Sequence, residues 1–574
     1  IASPCANVTF RRTSMRQSSL SEHPWVDGLT FGQVLAHTAE RFGKQDALVF
    51  PHVGVKQNYR DLQLLVDEAA LALLGLGVSR GDHVGLWATN YPQWVILQFA
   101  TAKVGAVLVN INPAYRAGEL AYVLNQADIT CLFLTDCFKG ASFFSILAEI
   151  CPELGAGPLR SAACPALRHV VSIKETKAPG MLNWTEFLQL AAKSSPAELQ
   201  RCEAAVGAED VVNIQYTSGT TGFPKGAMLS HRNLLLNAYY TGQRLACTEA
   251  DRICIPVPFY HCFGCVVGTL LCVVHGAAMV VPAEAFEPLA TLQAIQDEGC
   301  SAIYGVPTMF ISQLTHPRFA EFQLQSLRTG IMAGSPCPIE IMRDVVRRMG
   351  ARDVTIAYGL TEASPVITQT ATSDDLEHRV STVGKPLPGL EVRIAAPGST
   401  DPLLPEQPGE LLVRGHCVMK GYYKKPAETG AAITPDGWLH TGDLALETRD
   451  GYYRITGRIK DLIIRGGENV YPREIEEFLY THPAIAEVQV VGLPDAKYGE
   501  EVSAWIRLKP GAQLAAEDVR QFCRERIAHF KVPRYVEFVS EYPTTVTGKI
   551  QKYRLREIGI ERFCLQKAAQ IETA

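Results

Sequence analysis

The chain contains 574 residues, too many for a single compact core, so at least two domains are expected. Hydrophobic residues make up 47% of it and charged residues 20%, proportions typical of globular proteins that exclude a fibrous or largely disordered chain. The formal net charge of −5 gives no general attraction to polyanions, so no nucleic-acid partner is expected.

The first residues are basic and rich in serine. Arg11, Arg12 and Arg16 precede the first acidic residue, Glu22, and this pattern resembles the end of a mitochondrial targeting segment. An ordinary basic, disordered terminus fits the same residues equally well. We therefore predict a flexible segment over residues 1–24 and a location in the mitochondrial matrix, with the cytoplasm as the alternative.

The 16 cysteines are scattered through the chain and do not form the dense framework of a small disulfide-rich domain. They predict reduced thiols in an intracellular compartment. The apolar segment from Val95 to Val109 is interrupted by Gln98 and Lys103, and a membrane-spanning helix needs about eighteen apolar residues. No transmembrane segment is expected, which leaves peripheral contact with a membrane surface open.

Short β-rich runs alternate with helical patterns between residues 211 and 362. This alternation predicts an α/β fold with a substantially parallel sheet. The predicted strands are Val211 to Tyr216, Ile253 to Val257, Ala278 to Val281, Ala302 to Gly305 and Val354 to Tyr358. Residues 396–410 are rich in Pro and Gly and predict a loop, which a strand over Leu411 to Val413 follows.

A domain boundary is predicted near residues 457–461, because the roughly 110 residues after it carry an alternating pattern of their own. We therefore predict a large N-terminal domain of sheets flanked by helices over 25–459 and a small, mobile α+β domain over 460–574. The small domain is predicted to contain strands over Val488 to Val491 and Glu501 to Leu508, and helices over Glu474 to Tyr480 and Ala516 to Ala528.

The strongest chemical signal runs from Tyr216 to Gly226, between a predicted strand and a helix predicted to begin after Ser230. Glycines let the main chain approach a ligand closely, and exposed amides, hydroxyls and a lysine suit a polyphosphate. Lys225 is followed by Gly226 and not by Ser or Thr, so this is not a Walker A loop. The residues predicted to contact the nucleotide are Thr217, Ser218, Gly219, Thr220, Thr221, Gly222 and Lys225.

Cys262, Cys265, Cys272 and His275 have a spacing that superficially resembles a zinc site. They lie in an apolar helical stretch that lacks the turns needed to fold ligands around a metal. We therefore interpret the cysteines as core residues.

The segment 216–226 resembles the phosphate loop of the adenylate-forming superfamily, which contains acyl-CoA synthetases, luciferases and the adenylation domains of peptide synthetases. Further segments match motifs of this family, in the family's order, over nearly the whole chain. They are residues 258–261 (PFYH), 333–336 (AGSP), 358–362 (YGLTE), 438–443 (WLHTGD), 457–461 (GRIKD) and 543–549 (PTTVTGK). The resemblance implies an enzyme that uses ATP to activate a carboxylic acid as its acyl-adenylate.

The resemblance also implies how the ATP phosphates are held. Glu362 supplies a carboxylate oxygen to Mg²⁺ bridging the phosphates, with Thr217 beside it, and Thr361 offers a hydroxyl to the α-phosphate. These oxygens are the hard ligands that Mg²⁺ prefers.

The nucleoside is expected to lie against two further groups of residues. Asp443 accepts hydrogen bonds from the ribose hydroxyls and Arg458 donates to the same sugar. Gly334 and Ser335, together with Tyr358, resemble the wall of the adenine site.

By the same resemblance, Lys549 is the catalytic lysine, because a mobile cation lowers the barrier when a carboxylate attacks the α-phosphorus. Lys460 resembles the hinge about which the small domain rotates between the two half-reactions, which brings Gly466 and Gly467 to the pantetheine channel. His261 is expected at the acyl pocket near the carbonyl, with a structural histidine as the alternative.

The acyl acceptor is expected to be coenzyme A. Residues 258–261 lack the acid that would pair with an amino-acid substrate, and no carrier-protein serine motif follows Lys549. The expected substrates are therefore a fatty carboxylic acid, ATP with Mg²⁺, and coenzyme A.

The acyl pocket is expected to be open and apolar. Acetate-selective members of the family carry Trp at the position of Gly359, and glycine leaves that space free. The neighbouring residues Phe259, Val306, Met309 and Cys337 are apolar and suit an alkyl chain.

We therefore predict an AMP-forming, ATP-dependent fatty acid:CoA ligase for medium-chain acids, most similar to the mitochondrial medium-chain acyl-CoA synthetases. An aryl- or coumarate-type CoA ligase and a luciferase-like monooxygenase are the alternatives within the superfamily. A catalytically inactive nucleotide-binding homologue is the alternative from another class, and the presence of Lys549, Glu362 and Asp443 argues against it.

Overall fold

The structure of the chain is a computed structural model that describes residues 24–155, 159–217, 224–335, 337–466, 468–524, 526–545 and 549–570. Within these ranges five β-sheets are combined with helices, and the predicted α/β fold class is confirmed. No helix in the described ranges is long and apolar enough to cross a membrane.

The largest sheet has nine strands among the described residues, and its central strands are parallel. In spatial order the strands are Lys385–Pro386, Val366–Gln369, Asp353–Gly359, Thr329–Ala333, Ala302–Gly305, Arg252–Cys254, Ala278–Val280, Asp46–Phe50 and Val55–Asn58. Ala302–Gly305 is buried throughout, because helices cover both faces of a parallel sheet. Four of the predicted strands lie here, although the one predicted to reach Val257 ends at Cys254.

A second sheet has seven described strands. In spatial order they are Gly421–Tyr422, Lys225–Ser230, Val211–Thr217, Val107–Asn110, His83–Trp87, Ile129–Leu134 and His169–Ser172. The strand predicted over Val211 to Tyr216 is confirmed, and it pairs antiparallel with Lys225–Ser230. These two strands flank the predicted phosphate loop.

A third, antiparallel sheet consists of Leu390–Ala395, Gly409–Gly415, Leu439–Glu447 and Tyr453–Arg458. The strand predicted over Leu411 to Val413 belongs to it. Its last two strands form a hairpin whose register places Asp443 opposite Arg458. Sequence alone does not predict this pairing, which brings two motif residues together.

The C-terminal sheet contains Glu468–Val470, Ile463–Arg465, Gly499–Leu508, Ile485–Asp495 and Tyr535–Phe538. The two strands predicted in this region lie within Ile485–Asp495 and Gly499–Leu508. The predicted helices are found at Pro472–Tyr480 and Ala516–Arg524, the second ending four residues earlier than the predicted Ala528. A short hairpin of Cys137–Phe138 and Ala141–Ser142 completes the sheets of the described ranges.

The α-helices pack on the faces of these sheets. In chain order they are Phe31–Phe42, Tyr59–Leu76, Pro92–Val104, Ala117–Gln126, Phe143–Ile150, Trp184–Gln189, Pro196–Ala205, His231–Arg244, Leu271–His275, Pro288–Asp297, Pro307–Leu314, Ile339–Asp344, Leu376–Ser381, Pro426–Ala432, Pro472–Tyr480, Ala516–Arg524, Lys552–Arg562 and Gln566–Ala569. His231–Arg244 begins as predicted after Ser230, whose hydroxyl accepts the Asn233 N–H in a capping box.

The apolar stretch after the 258–261 motif contains a π-helix over Phe263–Leu270, which continues as the α-helix Leu271–His275. A Cβ atom at Gly264 would lie 2.2 Å from the Pro258 carbonyl oxygen, so the π-helix can pack here only with glycine. π-Helical turns are rare and often occur at functional sites. Helical periodicity predicted a helix here but could not distinguish its type.

The hydrophobic clusters of the described residues separate along the chain. Three large clusters and a small one of Ala395, Leu412 and Trp438 draw their members from residues 25–455, whereas two others draw theirs from residues 463–565. This separation agrees with the division at 459/460, which stays a prediction, as does the mobility of the small domain.

Candidate active site

The predicted phosphate loop is described only at its two ends. Ser218, Gly219, Thr220, Thr221 and Gly222 lie outside the described residues. Thr217 ends one flanking strand and Lys225 begins the other, and these two residues face each other in the register. The Lys225 ammonium lies 4.3 Å from the centre of the Tyr422 ring.

Glu362 lies in a short 3-10 turn, Thr361–Ala363, just after the strand Asp353–Gly359. Its Oε1 atom accepts a hydrogen bond from Thr217 Oγ1 at 3.2 Å and one from the Tyr422 hydroxyl at 2.8 Å. The two residues predicted to meet Mg²⁺ are therefore in direct contact, although 145 positions separate them in the chain.

The chemistry of these oxygens suits Mg²⁺. Glu362 is partly exposed and Thr217 adds a hydroxyl oxygen. Among the described residues no group of three His, Cys, Asp or Glu side chains could hold a metal ion. One carboxylate combined with substrate phosphates is the usual environment of Mg²⁺ in nucleotide enzymes, so the residues present fit this ion.

Asp443 is the centre of a second cluster. Arg458 Nε lies 2.9 Å from its Oδ1, and the Tyr358 hydroxyl donates to its Oδ2 at 2.8 Å. Burial, followed by the charge of Asp443, raises the pKa of Tyr358 well above its usual range, so the phenol remains a donor. Three residues predicted to hold the nucleoside are therefore joined in one hydrogen-bonded group.

Gly334 and Ser335 follow the strand Thr329–Ala333, which is parallel to the strand that ends beside Tyr358. Both positions lie at the carboxyl ends of neighbouring parallel strands, where α/β proteins commonly bind ligands. Gly334 has a φ of +87°, and a Cβ atom there would lie 3.0 Å from Val306 Cγ1. The two predicted adenine segments are thus neighbours.

Lys549 approaches the Asp443 cluster from the C-terminal region. Its N–H donates to Thr545 Oγ1 at 3.1 Å. Lys549 is exposed, and desolvation by the nearby protein followed by the charge of Arg458 lowers its pKa to about 8. The predicted catalytic lysine therefore lies within the electrostatic reach of the predicted ribose residues Arg458 and Asp443.

His261 lies directly before the π-helix and is partly exposed. Its Nδ1 accepts the Phe263 N–H at 3.2 Å, so the proton of the neutral ring belongs on Nε2. Burial, followed by the charge of Lys549, lowers the pKa of His261 to about 4. The imidazole is therefore neutral at physiological pH and lies within the electrostatic reach of the predicted catalytic lysine.

Thr361 is linked to His261 by a residue that the motif analysis did not single out for the active site. Cys262 Sγ lies 3.7 Å from Thr361 Oγ1 and 3.5 Å from His261 Nδ1. Cys262, Cys265 and Cys272 are each at most 2% exposed and belong to the main hydrophobic cluster, in agreement with their interpretation as core residues.

The predicted hinge and coenzyme A residues lie at the start of the C-terminal region. Lys460 is exposed, and desolvation followed by the charge of Arg458 lowers its pKa. Gly466 has a φ of +59°, and its N–H donates to the Tyr498 carbonyl at 2.8 Å. Gly467 lies outside the described residues. No hydrogen bond within the described ranges joins Gly466 to the Asp443 cluster.

The apolar residues expected around the acyl chain are all buried, with exposures of 0% for Phe259, 6% for Val306, 4% for Met309 and 3% for Cys337. The first three share the main hydrophobic cluster and Cys337 belongs to a second one. A Cβ atom at Gly359 would lie only 1.8 Å from the Pro365 carbonyl oxygen. The glycine is therefore required by close backbone packing, a reason the sequence did not reveal.

Tyr422 is the second site neighbour that the motifs did not reveal. It lies 60 positions from Glu362 and is only 6% exposed. A tyrosine after a glycine carries no signal that connects it to a distant carboxylate, so only the tertiary structure could identify the contact.

Comparison with known proteins assigns the chain to a family. The model of the AMP-binding enzymes matches residues 35–423, and the model of the AMP-binding enzyme C-terminal domain matches residues 474–549. The chain belongs to the AMP-binding enzyme family, which confirms the membership predicted from the motifs.

Individual relatives extend this result. YngI of Bacillus subtilis (strain 168), which is named as an acyl-CoA synthetase, is 49% identical over 542 residues, 94% of this chain and 98% of YngI. The mitochondrial medium-chain acyl-CoA ligase ACSF2 of Danio rerio is 42% identical over 543 residues, 94% of this chain and 89% of that protein. The crystal structure of the anthranilate CoA ligase AuaEII with anthranoyl-AMP has a TM-score of 0.83 at 26% identity and covers 94% of this chain and 98% of that one. The predicted enzyme class, an acyl-CoA synthetase, is confirmed.

Proposed function

We propose that the chain is an ATP-dependent, AMP-forming fatty acid:CoA ligase that acts on medium-chain acids. In the first half-reaction the carboxylate attacks the α-phosphorus of ATP, and the bond to pyrophosphate breaks. In the second, the thiol of coenzyme A attacks the acyl carbonyl and AMP leaves. The observation that carries the proposal is the hydrogen-bonded cluster of Asp443, Arg458 and Tyr358. Lys549 lies within the electrostatic reach of Asp443, Arg458 and His261.

Asp443 and Arg458 orient the ribose in this proposal. Their ion pair and the hydrogen bond from Tyr358 hold the carboxylate in one orientation before a nucleotide arrives. Such preorganisation reduces the entropy that nucleotide binding has to overcome. Gly334 and Ser335, at the neighbouring strand end, leave room for the adenine ring.

Lys549 and Thr361 act on the reacting phosphate. The attacking carboxylate and the α-phosphate are both anionic, and the Lys549 ammonium stabilises the charge that develops between them. Thr361 offers its hydroxyl from the turn that also carries Glu362. Lys225 and residues 218–222 are proposed to bind the departing phosphates.

Glu362 and Thr217 are proposed to hold Mg²⁺ together with the phosphate oxygens. Held there, the ion would supply positive charge to balance the phosphates of the leaving pyrophosphate. The hydrogen bonds to Glu362 Oε1 leave Oε2 without a partner among the described residues, so this oxygen is available to a metal.

His261 is proposed to donate a hydrogen bond to the acyl carboxylate. The Phe263 N–H occupies Nδ1, and no hydrogen-bond partner of Nε2 is found among the described residues. Since the ring is neutral at physiological pH, the Nε2–H group can orient an anionic carboxylate. It adds no full positive charge, which would stabilise the carboxylate before the reaction and so make the carboxylate less reactive.

The thioester half-reaction is proposed to require rotation about Lys460. Lys549 lies within the electrostatic reach of Asp443 and Arg458, whereas the Gly466 N–H donates to the Tyr498 carbonyl. Rotation would withdraw the lysine and bring Gly466 and Gly467 toward the pantetheine of coenzyme A.

Two facts support a medium-chain acid. The Danio rerio relative is named as a medium-chain ligase. In addition, the candidate acyl residues Phe259, Val306 and Met309 share one apolar cluster. An aryl acid is the second candidate, because the similar crystal structure is that of an anthranilate ligase.

A mitochondrial location is proposed on similar grounds. The name of the Danio rerio relative includes this compartment, and Arg11, Arg12 and Arg16 form the basic pattern of a targeting segment. Import of the chain by isolated mitochondria, with protection from added protease, tests this part. A chain that stays protease-sensitive would favour the cytoplasm.

The activity is tested by measuring coenzyme A-dependent AMP formation from Mg-ATP with straight-chain acids from acetate to palmitate, and with benzoate and coumarate alongside. A maximum at intermediate chain length supports the proposal. A maximum with benzoate or coumarate replaces it with the aryl ligase, and light emission with luciferin would indicate monooxygenase chemistry. If none of these acids supports AMP formation, the chain is instead an inactive nucleotide-binding homologue.

A further inference from the structure

Tyr422 contacts two elements of the proposed nucleotide site at once. Its hydroxyl donates to Glu362 Oε1 at 2.8 Å, and its ring lies 4.3 Å from the Lys225 ammonium. A carboxylate oxygen can only accept, so the phenol is the donor in this contact.

The backbone around Tyr422 is held rigidly. Its N–H donates to Thr429 Oγ1 at 2.9 Å, and its carbonyl accepts the Lys425 N–H at 3.1 Å. Gly421 before it has a φ of +124°, and a Cβ atom there would lie 2.8 Å from Thr429 Cγ2. The register also pairs Tyr422 with Ala227 of the strand that begins at Lys225. The ring is thus presented from a fixed position.

The hydroxyl of Tyr422 restricts how Glu362 can rotate. Oε1 accepts from both Tyr422 and Thr217, at 2.8 and 3.2 Å. A carboxylate held at one oxygen by two donors keeps its plane, and its other oxygen then points in one direction. A side chain that must meet a metal ion benefits from such support, because residues that hydrogen-bond to a metal ligand fix its orientation.

The ring of Tyr422 acts on Lys225. No ion pair of Lys225 is found within the described residues, and its ammonium stands over the aromatic face instead. A cation over an aromatic ring is attracted by the negative face of the ring, yet it keeps most of its donors free for a phosphate. A carboxylate partner would neutralise the lysine, whereas the ring positions it and leaves its charge available.

We propose that Tyr422 is a positioning residue of the adenylation half-reaction, which orients Glu362 toward Mg²⁺ through its hydroxyl and Lys225 toward the phosphates through its ring. This inference rests on the proposed function. In this proposal one side chain acts on both the metal-binding and the phosphate-binding residues of the nucleotide site. The hydroxyl of Tyr422 acts on Glu362, and its ring acts on Lys225.

The two effects can be measured separately on the full chain by calorimetric titration with ATP, in excess Mg²⁺ or in EDTA and without any acid. Tyr422→Phe removes the hydroxyl and keeps the ring. The gain in ATP affinity on adding Mg²⁺ should fall about tenfold, while the affinity in EDTA stays unchanged. Tyr422→Leu removes the ring as well, and its ATP affinity should fall in both conditions.

Tyr423→Phe is the matched control, because its hydroxyl donates at 2.8 Å to Asp128, a residue with no predicted role at the site. This variant should keep the wild-type response to Mg²⁺. Equal responses of Tyr422→Phe and wild type would overturn the proposal, as would an equal loss in Tyr423→Phe. Thermal unfolding of each variant shows whether a loss merely reflects a damaged fold.

Failure of the proposed function gives a different result. If wild type forms no AMP with any acid but the Mg²⁺ response of ATP binding still depends on the Tyr422 hydroxyl, the ligase proposal falls and the role of Tyr422 stands. If wild type is an active ligase and Tyr422→Phe matches it in Mg²⁺ dependence and in the rate of ATP–pyrophosphate exchange, the ligase stands and the role of Tyr422 falls.

Discussion

Arg458 Nε lies 2.9 Å from Asp443 Oδ1, across the hairpin that joins two antiparallel strands. The Asp443 side chain is 8% exposed and that of Arg458 38%, so the carboxylate is withdrawn from water while the guanidinium still reaches the cleft. The Tyr358 hydroxyl fixes the other carboxylate oxygen at 2.8 Å. The Asp443 carboxylate is thus held in one orientation, ready to accept hydrogen bonds from a ligand. Its ion pair with Arg458 also stabilises the hairpin.

Asp443→Ala should weaken both the binding of ATP and the stability of the fold. We expect the KM for ATP to rise at least about tenfold, and the free energy of unfolding to fall by about 1–3 kcal/mol because Arg458 and Tyr358 lose their partner. Steady-state kinetics and urea unfolding measure the two effects. Glu391→Ala is the control, since its pair with Arg414 is 60% and 36% exposed and water screens it, so its loss should change stability little. Equal losses in both variants would contradict the prediction.

Lys549 should give adenylation a distinctive dependence on pH. Its pKa is lowered to about 8, so the side chain is a cation below that pH and loses its charge as the pH rises through it. We expect kcat/KM for ATP in pyrophosphate exchange to decline above about pH 8. Lys549→Ala should lower the exchange rate by at least about a hundredfold and retain ATP binding.

Lys549→Arg tests the assignment of this titration. A guanidinium stays charged at any accessible pH, so the decline above pH 8 should disappear or move upward, even if the arginine is less active. If the decline stays at the same pH in this variant, another group is responsible for it. Thioester formation from preformed acyl-adenylate should be affected little by either substitution.

Gly359→Ala should destabilise the protein through the backbone. The added Cβ atom would meet the Pro365 carbonyl oxygen at 1.8 Å, so residues 364–366 would have to move, at a cost of about 1–3 kcal/mol. Gly430→Ala is the matched control: this glycine lies in the helix Pro426–Ala432, nothing lies within 4 Å of its added Cβ, and the change should stabilise by up to about 1 kcal/mol. Urea unfolding measures the free energy of unfolding, which should fall in Gly359→Ala and rise in Gly430→Ala. An unchanged free energy in Gly359→Ala would show that residues 364–366 move without cost.

His378 should make stability depend on pH. Its Nδ1 lies 2.7 Å from Asp375 and its Nε2 2.7 Å from Asp450, and these two hydrogen bonds raise its pKa above 6.5. A raised folded-state pKa adds stability that is fully present below about pH 6.5 and is lost as the pH rises through the folded value. His378→Ala should therefore lose more stability at pH 5.5 than at pH 8.5 in urea unfolding. The His378 ring also stacks on the Tyr452 ring, with 4.2 Å between the ring centres. Equal losses at both pH values would mean that this packing is the larger effect.

Several features followed from the sequence because they depend on local patterns. Alternation of apolar runs predicted the parallel strands, and Ser230 marked the start of a helix through its capping hydroxyl. The family motifs identified the enzyme class, because loops that handle ATP phosphates need particular residues in a short span. The segments near Val211 and Ala302 were predicted correctly for the same local reason.

Other features could not be predicted, because they join residues that are distant in the chain. No local rule connects Tyr422 to Glu362, or Cys262 to Thr361, and neither contact is encoded by a motif. The π-helix over Phe263–Leu270 has the apolar pattern of an ordinary helix, and its type depends on how closely Gly264 packs against Pro258.

By itself, the sequence determined the α/β class, the family and the residues with the right chemistry for an acyl-adenylate, since these depend on periodicity and on short motifs. The tertiary structure decided which of them meet. The register of one hairpin sets Asp443 opposite Arg458, and the meeting of separate sheets sets Tyr422 against Glu362. Such contacts depend on the packing of whole layers, which no stretch of sequence contains on its own.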